Sequence, residues 1–295
     1  MRETSVALVA PLAAATLWGG MYVVSEWSFD AVPPVTLGFL RVAVAVVALL
    51  FVVRATRPKR SFSWGDRARF VGLGAWVTLT IVTQFVGTDL TTAGQGSLLT
   101  VATPVATVLL GAALLAEPLT RRRLAGIALA GAGTLVVLHG QYGLTSLGGA
   151  SLLGVLALLV ASVAWGVYTV RGTPLVRRYS ALETATYATL ASVPMLGVAA
   201  AVELALLGRS LGSLPVTPEV IGAVAYLGFG ATAAAWYLWY KGLEYVDAGR
   251  VAVAFYAQPL VGVGLGALLL DERVGPTFLL GGAVLALGVY LTSTD

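Results

Sequence analysis

Ten apolar runs, separated by short polar or charged segments, fill almost the whole chain. Each run has about the length that an α-helix needs to cross a lipid bilayer, roughly 20 residues. A soluble domain carries about a quarter of charged residues, whereas this chain is 58% hydrophobic and only 11% charged. The sequence therefore predicts an all-α integral membrane protein with ten transmembrane helices. The runs cover residues 5–25, 34–53, 70–88, 93–115, 123–139, 148–170, 182–206, 218–240, 249–270 and 277–292.

The Lys and Arg residues are distributed unevenly over the loops. If the N-terminus is cytoplasmic and ten helices alternate in direction, about fifteen of them face the cytoplasm, and only Arg209 and Arg273 face outward. Cytoplasmic loops of membrane proteins carry such an excess. The pattern predicts that both termini are cytoplasmic. It also explains the net charge of +4 without a nucleic-acid partner. We interpret the first run as a retained helix, since no small-residue cleavage motif follows it.

The second half of the chain repeats the first. At a constant spacing of 155 residues, about 15 of 41 pairs from residue 93 to residue 133 are identical, where composition alone gives about five. The identical pairs include Pro104 with Pro259, Glu117 with Glu272, Gly126 with Gly281, and Gly133 with Gly288. Trp18-Gly19 recurs as Trp165-Gly166. The repeat predicts two units, residues 1–147 and 148–295.

Five helices in each unit would make the two units enter the membrane in opposite directions. Inverted repeats are the architecture of many secondary transporters, because two equivalent halves can exchange conformations around a site near the membrane midplane. The repeat therefore favours a carrier that works by alternating access.

The chain resembles a known family at these motifs. They are Trp18-Gly19, Phe39-x-Arg41, and the run Gly87-x-Asp89…Ala93-Gly94…Pro104…Gly111-Ala112-x-Leu114-Leu115-x-Glu117 with its repeat. This pattern is similar to that of the EamA family of the drug/metabolite transporter superfamily, over essentially the whole chain. The resemblance implies a ten-helix carrier of the plasma or inner membrane that exports amino acids or other small metabolites. It does not identify the substrate.

Aromatic and polar residues inside the apolar runs are candidates to line a substrate cavity. Trp18 and Trp165 are related by the repeat, and the amides of Gln84 and Gln258 need partners within the membrane. Tyr256 and Gln258 precede Pro259 as Val101 and Thr103 precede Pro104, so we expect the two proline-bearing runs to face each other across the cavity. The second unit brings the larger polar groups, and we expect substrate specificity to be more sensitive to changes there. Trp27 and Trp64 are interpreted as interfacial. The full candidate set is Trp18, Tyr22, Gln84, Ser97, Thr100, Trp165, Tyr168, Trp236, Tyr256 and Gln258.

Arg41 lies inside the second run, where a charge is costly and often functional. Glu26, near the end of the first run, is its expected partner. The pair is interpreted either as a structural ion pair between the first two helices or as a substrate contact. Glu117 and Glu272 directly follow their runs, and we expect them to cap the next helix or to tie the ends of the half-repeats together.

Other functions fit less well. An intramembrane enzyme is not expected, since His-Glu-x-x-His, Gly-x-Ser-x-Gly and paired midspan carboxylates are all missing from the sequence. No metal or cofactor is predicted, and cysteine is absent. A channel-like facilitator, or a lipid-handling or accessory membrane subunit, remains as the alternative. The expected partners are a small-molecule substrate and the lipid bilayer, with the protein a monomer or homodimer.

Overall fold

The computed structural model describes residues 2–91, 96, 99, 102–142, 152–261 and 275–293, and every regular element in these ranges is helical. The all-α prediction is therefore confirmed for this part of the chain. In chain order the helices are α1 Arg2–Gly19, α2 Met21–Phe29, α3 Pro34–Thr56, α4 Trp64–Asp89, α5 Ala102–Leu115, α6 Arg121–Tyr142, α7 Leu152–Arg178, α8 Ala181–Leu206, α9 Pro218–Leu243, α10 Ala248–Val253 and α11 Pro276–Ser293.

Local chemistry explains where several helices begin. Proline occupies the first position of α3 and of α9, where its missing N–H costs no hydrogen bond. The Ser63 hydroxyl accepts a hydrogen bond from the Asp66 N–H at the start of α4. Ser180 does the same for Glu183 at the start of α8. Such capping satisfies backbone donors that the first helical turn leaves open.

Within the described residues, five helices are long and apolar enough to cross a membrane by length and composition: α3, α4, α7, α8 and α9. α5 and the segment Leu279–Thr292 of α11 are shorter apolar helices. Large apolar side chains such as Phe51, Val198 and Leu279 point outward, at 76%, 66% and 72% exposure. An apolar outer surface on helices whose backbone bonds are internal is what a bilayer requires.

Helices α6 and α11 pack through glycines that the repeat relates to each other. A Cβ added at Gly126 would lie 2.8 Å from the Gly288 carbonyl oxygen, and one added at Gly288 would lie 2.5 Å from that of Gly126. A Cβ at Gly133 would lie 2.6 Å from the Gly281 oxygen. Only glycine permits such close backbone contact. Because Gly281 and Gly288 are the repeat equivalents of Gly126 and Gly133, each unit contacts the other through the same surface.

A second pair of helix contacts is also formed by glycines that the repeat relates to each other. Gly87 of α4 packs against Leu158 of α7, and its equivalent Gly242 of α9 packs against Pro11 of α1. Pro11 precedes Trp18 by seven residues, as Leu158 precedes Trp165. The same positions of the repeat therefore form this contact in both places.

Carboxylates bond to helix N-termini that are distant in sequence. The Glu117 carboxylate accepts from the N–H groups of Ala248 and Gly249, at 2.9 and 3.1 Å. These residues begin α10 in the second unit, so Glu117 ties the two units together and does not cap the next helix, α6. Glu203 accepts in the same way from the first turn of α3. Glu272 lies outside the described residues.

Helix α9 changes its winding midway. Tyr226–Ala234 is π-helical, between the α-helical stretches Pro218–Ala225 and Ala235–Leu243. The Thr232 hydroxyl donates to the Leu227 carbonyl five residues earlier, at 2.7 Å. A π-helical stretch shifts the register of the backbone hydrogen bonds and often occurs at functional sites.

Candidate functional site

Indole rings from both units meet in the interior. Trp18 of α1 and Trp165 of α7 contact each other edge to face, with ring centroids 5.3 Å apart. Trp236 of α9 lies 5.7 Å from Trp165, and Trp239 lies 5.3 Å from Trp18. The two tryptophans that the repeat relates are thus direct neighbours at the contact between the units.

A cavity opens beside these rings. Its volume is about 30 Å³, enough for one or two waters. A metabolite of amino-acid size would therefore require the surrounding helices to separate. The lining residues come from seven helices, α1 to α5, α7 and α9, and from the segment after α10; those predicted from the sequence are Trp18, Tyr22, Arg41, Gln84, Trp165 and Trp236.

The structure corrects the expected partner of Arg41. Its Nε donates to the Thr232 hydroxyl at 2.8 Å, its Nη2 to the Ala231 carbonyl oxygen at 2.9 Å, and its Nη1 to the Met21 thioether at 3.1 Å. Glu26 is exposed, and no ion pair between the two is present. The predicted pair is wrong because Arg41 faces the interior, towards α9, whereas Glu26 lies on the outer face of α2.

The π-helical stretch of α9 provides the acceptors for this site. The Ala231 carbonyl oxygen accepts from both Arg41 and the Trp18 indole Nε1, the latter at 2.8 Å. Thr232, the next residue, accepts from Arg41 Nε. Arg41 therefore joins α3 of the first unit to α9 of the second.

Polar side chains on α2 and α4 complete one wall. The Gln84 amide Nε2 donates to the Tyr22 hydroxyl at 3.0 Å. Thr80, one turn away on α4, donates to the backbone oxygen of Trp76 at 2.9 Å. Gln84 thus has the hydrogen-bond partner that a buried amide needs, and that partner is another residue of the cavity wall.

The two repeat-related tryptophans differ in their hydrogen bonds. Trp18 donates its indole N–H to Ala231. The Trp165 Nε1 is buried and has no hydrogen-bond partner among the described residues. Trp165 nevertheless lines the cavity. Of these two indole donors, one is already used by the protein and the other is not.

Three predicted site residues lie behind the cavity wall. Tyr168 stacks on Tyr240 at 4.9 Å and does not line the cavity. Tyr256 packs in a separate apolar cluster with Val108, Ile127, Ala130, Val253 and Leu285. Gln258 donates to the Trp18 backbone oxygen at 3.4 Å.

The preceding residue, Phe255, lines the cavity in place of Tyr256. Successive residues in a helical turn point in different directions, so a shift of one position moves a side chain off the wall. Thr103, the repeat equivalent of Gln258, also lines the cavity. Ser97 and Thr100 lie outside the described residues.

Several lining residues were not predicted: Met21, Thr80, Ile81, Leu158, Ala161, Ser162 and Phe255. Most are apolar residues in an apolar run, which carry no distinguishing signal. Thr80 was detectable, since it lies one helical turn before Gln84 and shares its face.

Charged residues tie the two units together at one end of the bundle. Arg60 pairs with Glu183 at 3.0 Å, and Arg178 pairs with the buried Asp66 at 3.1 Å. Tyr179 donates to Asp66 at 2.7 Å, and this hydrogen bond raises the pKa of the Tyr179 phenol. All three contacts join the segment from Arg60 to the first turn of α4 with the segment from the end of α7 to the first turn of α8.

The start of α6 and the link after α9 meet at the same end. Arg123 is buried and lies 3.4 Å from Asp247, which Arg177 also approaches at 3.4 Å. At the opposite end the contacts between units are Glu203 with the start of α3, and Arg209 with the Ala31 carbonyl oxygen at 3.1 Å. Each end of the bundle therefore has its own set of polar contacts between the units.

The comparisons with known proteins agree with this architecture. The model of the EamA-like transporter family matches the chain twice, over residues 5–139 and 152–294. A solved crystal structure with 23% sequence identity has the same fold, with a TM-score of 0.79 and 97% of each chain covered.

Three relatives are named as transport proteins. A "probable amino-acid metabolite efflux pump" of Escherichia coli is 28% identical, over 96% of this chain and 93% of that protein. A "probable terminal-alkyne amino-acid exporter" of Streptantibioticus cattleyicolor is 31% identical, over 68% and 63%. An "uncharacterized transporter" of Archaeoglobus fulgidus is 27% identical, over 94% of each chain.

The two family matches cover nearly the whole chain. They show that the protein is a multi-pass membrane transporter and not an enzyme. Among the described residues no cluster of His, Cys, Asp and Glu is suited to hold a metal ion. With its duplicated helical unit and its interior cavity, this chain belongs to the EamA-like transporter family.

Proposed function

We propose that the protein is a secondary transporter that exports small metabolites such as amino acids by alternating access around the cavity at Trp18 and Trp165. One observation carries this proposal. The cavity lies where the repeat-related tryptophans meet, and its walls come from both units. A site between two equivalent units can open to either side when the units change their relative tilt.

The proposed topology has ten transmembrane helices in two inverted five-helix units, residues 1–147 and 148–295. Both termini then lie in the cytoplasm, and the protein lies in the plasma or inner membrane. The reciprocal glycine contacts of α6 with α11 support the two-fold relation. The excess of Lys and Arg in alternate loops supports the orientation.

In this topology the end with Asp66, Glu183 and Asp247 is cytoplasmic. The ion pairs there close the cytoplasmic side, and the contacts of Glu203 and Arg209 close the outer side. Transport requires each set to break in turn.

Export of amino-acid-like substrates is supported by the relatives, two of which are named as an amino-acid efflux pump or exporter. The cavity is compatible with such substrates, because it combines aromatic faces with a few polar groups. No described feature favours a lipid-handling or accessory role over this one.

Purified protein in liposomes tests the proposal. We expect saturable counterflow of at least one radiolabelled compound from a panel of amino acids and related metabolites. Trp236→Ala, on the cavity wall, should abolish it, because the ring packs against Trp165. Trp27→Ala is the matched control, since Trp27 is 81% exposed and does not reach the cavity. Non-saturable flux without counterflow would indicate a channel, and no flux for any compound of the panel would reject export of amino acids and related metabolites.

A further inference from the structure

A permanently charged side chain is buried in the interior without a carboxylate partner among the described residues. Arg41 is 1% exposed, and its hydrogen bonds go to a hydroxyl, a carbonyl oxygen and a thioether. None of these acceptors carries a negative charge. A guanidinium has five N–H donors and stays protonated in proteins. A buried charge of this kind is costly unless an opposite charge lies beside it, so the site favours a negatively charged ligand.

A second donor is available on the part of the cavity wall that α7 forms. Trp165 is 6% exposed and lines the same cavity, and its indole N–H has no acceptor among the described residues. The cost of a buried donor without a partner is removed when a ligand oxygen accepts from it. Its repeat equivalent, Trp18, is already bonded to Ala231. Of the two repeat-related indoles, Trp165 is therefore the one available to a ligand.

An ammonium group on a substrate would find no comparably strong partner in this cavity. No Asp or Glu is present among the described residues that line it. The aromatic rings provide a cation–π contact, which is weaker than an ion pair in the same setting. Arg41 would also repel a second positive charge. The charge distribution of the cavity therefore selects for an anion.

We propose that the substrate is an organic carboxylate, held by its carboxylate group between Arg41 and Trp165, with its apolar part against the rings of Trp18, Trp236 and Phe255. An ammonium group on the substrate is not required for binding. This inference rests on the proposed transport function and states which chemical group the cavity recognises.

A series of related compounds tests it on the full-length protein in detergent, with quenching of tryptophan fluorescence as the measure of binding. The probes are four compounds of similar shape. Leucine carries both a carboxylate and an ammonium group, 4-methylpentanoate carries only the carboxylate, and leucinamide and 3-methylbutylamine carry only the ammonium group. We expect 4-methylpentanoate to bind at least as tightly as leucine, and the two compounds without a carboxylate to bind at least about tenfold more weakly. Equal or tighter binding of leucinamide, or no binding of either carboxylate, would overturn the proposal.

Two variants assign the effect to the named residues. Arg41→Gln removes the charge and should abolish the preference for carboxylates. Because this change also removes bonds between α3 and α9, Trp165→Phe serves as the milder variant, since it keeps an aromatic ring and removes only the N–H. We expect Trp165→Phe to weaken binding of 4-methylpentanoate about threefold to tenfold.

Trp27→Phe is the control for this variant. Trp27 is 81% exposed and does not line the cavity, so the loss of its indole N–H should leave the affinity unchanged. Equal affinities of the Trp165 and Trp27 variants would contradict the proposed role of Trp165.

Counterflow assays with the same probes separate this inference from the transport function. Transport of leucinamide without transport of either carboxylate would leave the transporter function standing and reject the anion site. Carboxylate binding without counterflow of any compound would support the anion site and reject the transport function.

Discussion

Residues around the cavity differ in whether their polar atoms are satisfied within the protein. Arg41 and Trp18 share the carbonyl oxygen of Ala231, and Gln84 bonds to Tyr22. Bonds of this kind fix the walls. The Trp165 N–H and the Tyr256 hydroxyl are buried without partners among the described residues, but only Trp165 lines the cavity. A ligand in the cavity can therefore accept a hydrogen bond from Trp165, whereas the Tyr256 hydroxyl lies where no ligand in the cavity reaches it.

Tyr256→Phe should leave transport unchanged and keep or raise the thermal unfolding midpoint. The Tyr256 ring packs in an apolar cluster, and removing a buried hydroxyl without a partner relieves a desolvation cost of about 1 kcal/mol or more. Tyr226→Phe is the comparison, since the Tyr226 hydroxyl donates to the Leu17 carbonyl oxygen at 2.7 Å. That variant should lose about 1 kcal/mol. A larger loss for Tyr256→Phe than for Tyr226→Phe would contradict this account of Tyr256.

Helices α6 and α11 pack with their backbones close together, and glycines make this contact possible. Backbone atoms of Leu285 and Gly281 lie where a side chain at Gly133 would begin. α9 uses another device, because its π-helical stretch provides the Ala231 and Thr232 acceptors for Arg41. Close packing and a local change in winding thus hold the units together at different places.

Gly133→Ala should reduce the yield of folded protein, because the new Cβ would lie 2.5 Å from the Leu285 backbone nitrogen and the two helices would have to separate. Overpacking of this kind costs about 1 to 3 kcal/mol. Gly72→Ala on α4 is the matched control, since nothing lies within 4 Å of an added Cβ there. Size-exclusion profiles and thermal midpoints of the two variants give the measurement. Equal stability of the two variants would show that the α6–α11 contact tolerates an added methyl group.

Across the whole molecule, polar contacts join the two units at both ends of the helix bundle, with different residues at each end. Ion pairs of Asp66, Glu183 and Asp247 lie at one end, and the contacts of Glu203 and Arg209 lie at the other. This division follows from the inverted arrangement that we propose, since equivalent loops of the two units would then face opposite sides. In the proposed mechanism these two sets of contacts would close the two sides of the membrane in turn.

Cysteine labelling tests the orientation of the whole molecule. The chain contains no cysteine, so a single introduced thiol reports only its own position. Lys59→Cys and Gly212→Cys both replace exposed loop residues. A membrane-impermeant maleimide applied to intact cells should label the variant at position 212 and not the one at position 59. Labelling of both from outside would reject the ten-helix topology.

The sequence by itself determined the helical membrane architecture, the duplication and the family. Runs such as 34–53 and 182–206 correspond closely to α3, Pro34–Thr56, and α8, Ala181–Leu206. These predictions succeeded because hydrophobicity and helix capping depend on residues close together in the chain. Trp18 and Trp165 were found in the same way, since the repeat marks them as equivalent without reference to their neighbours.

Only the tertiary structure decided which side chains meet. It paired Arg41 with α9 and not with Glu26, and it placed Phe255 on the cavity wall where Tyr256 was expected. Both outcomes depend on how each helix is rotated about its axis, and a rotation of one residue moves a side chain to another face. That rotation is set by packing against helices distant in sequence, including a π-helical stretch that the pattern of apolar residues does not indicate.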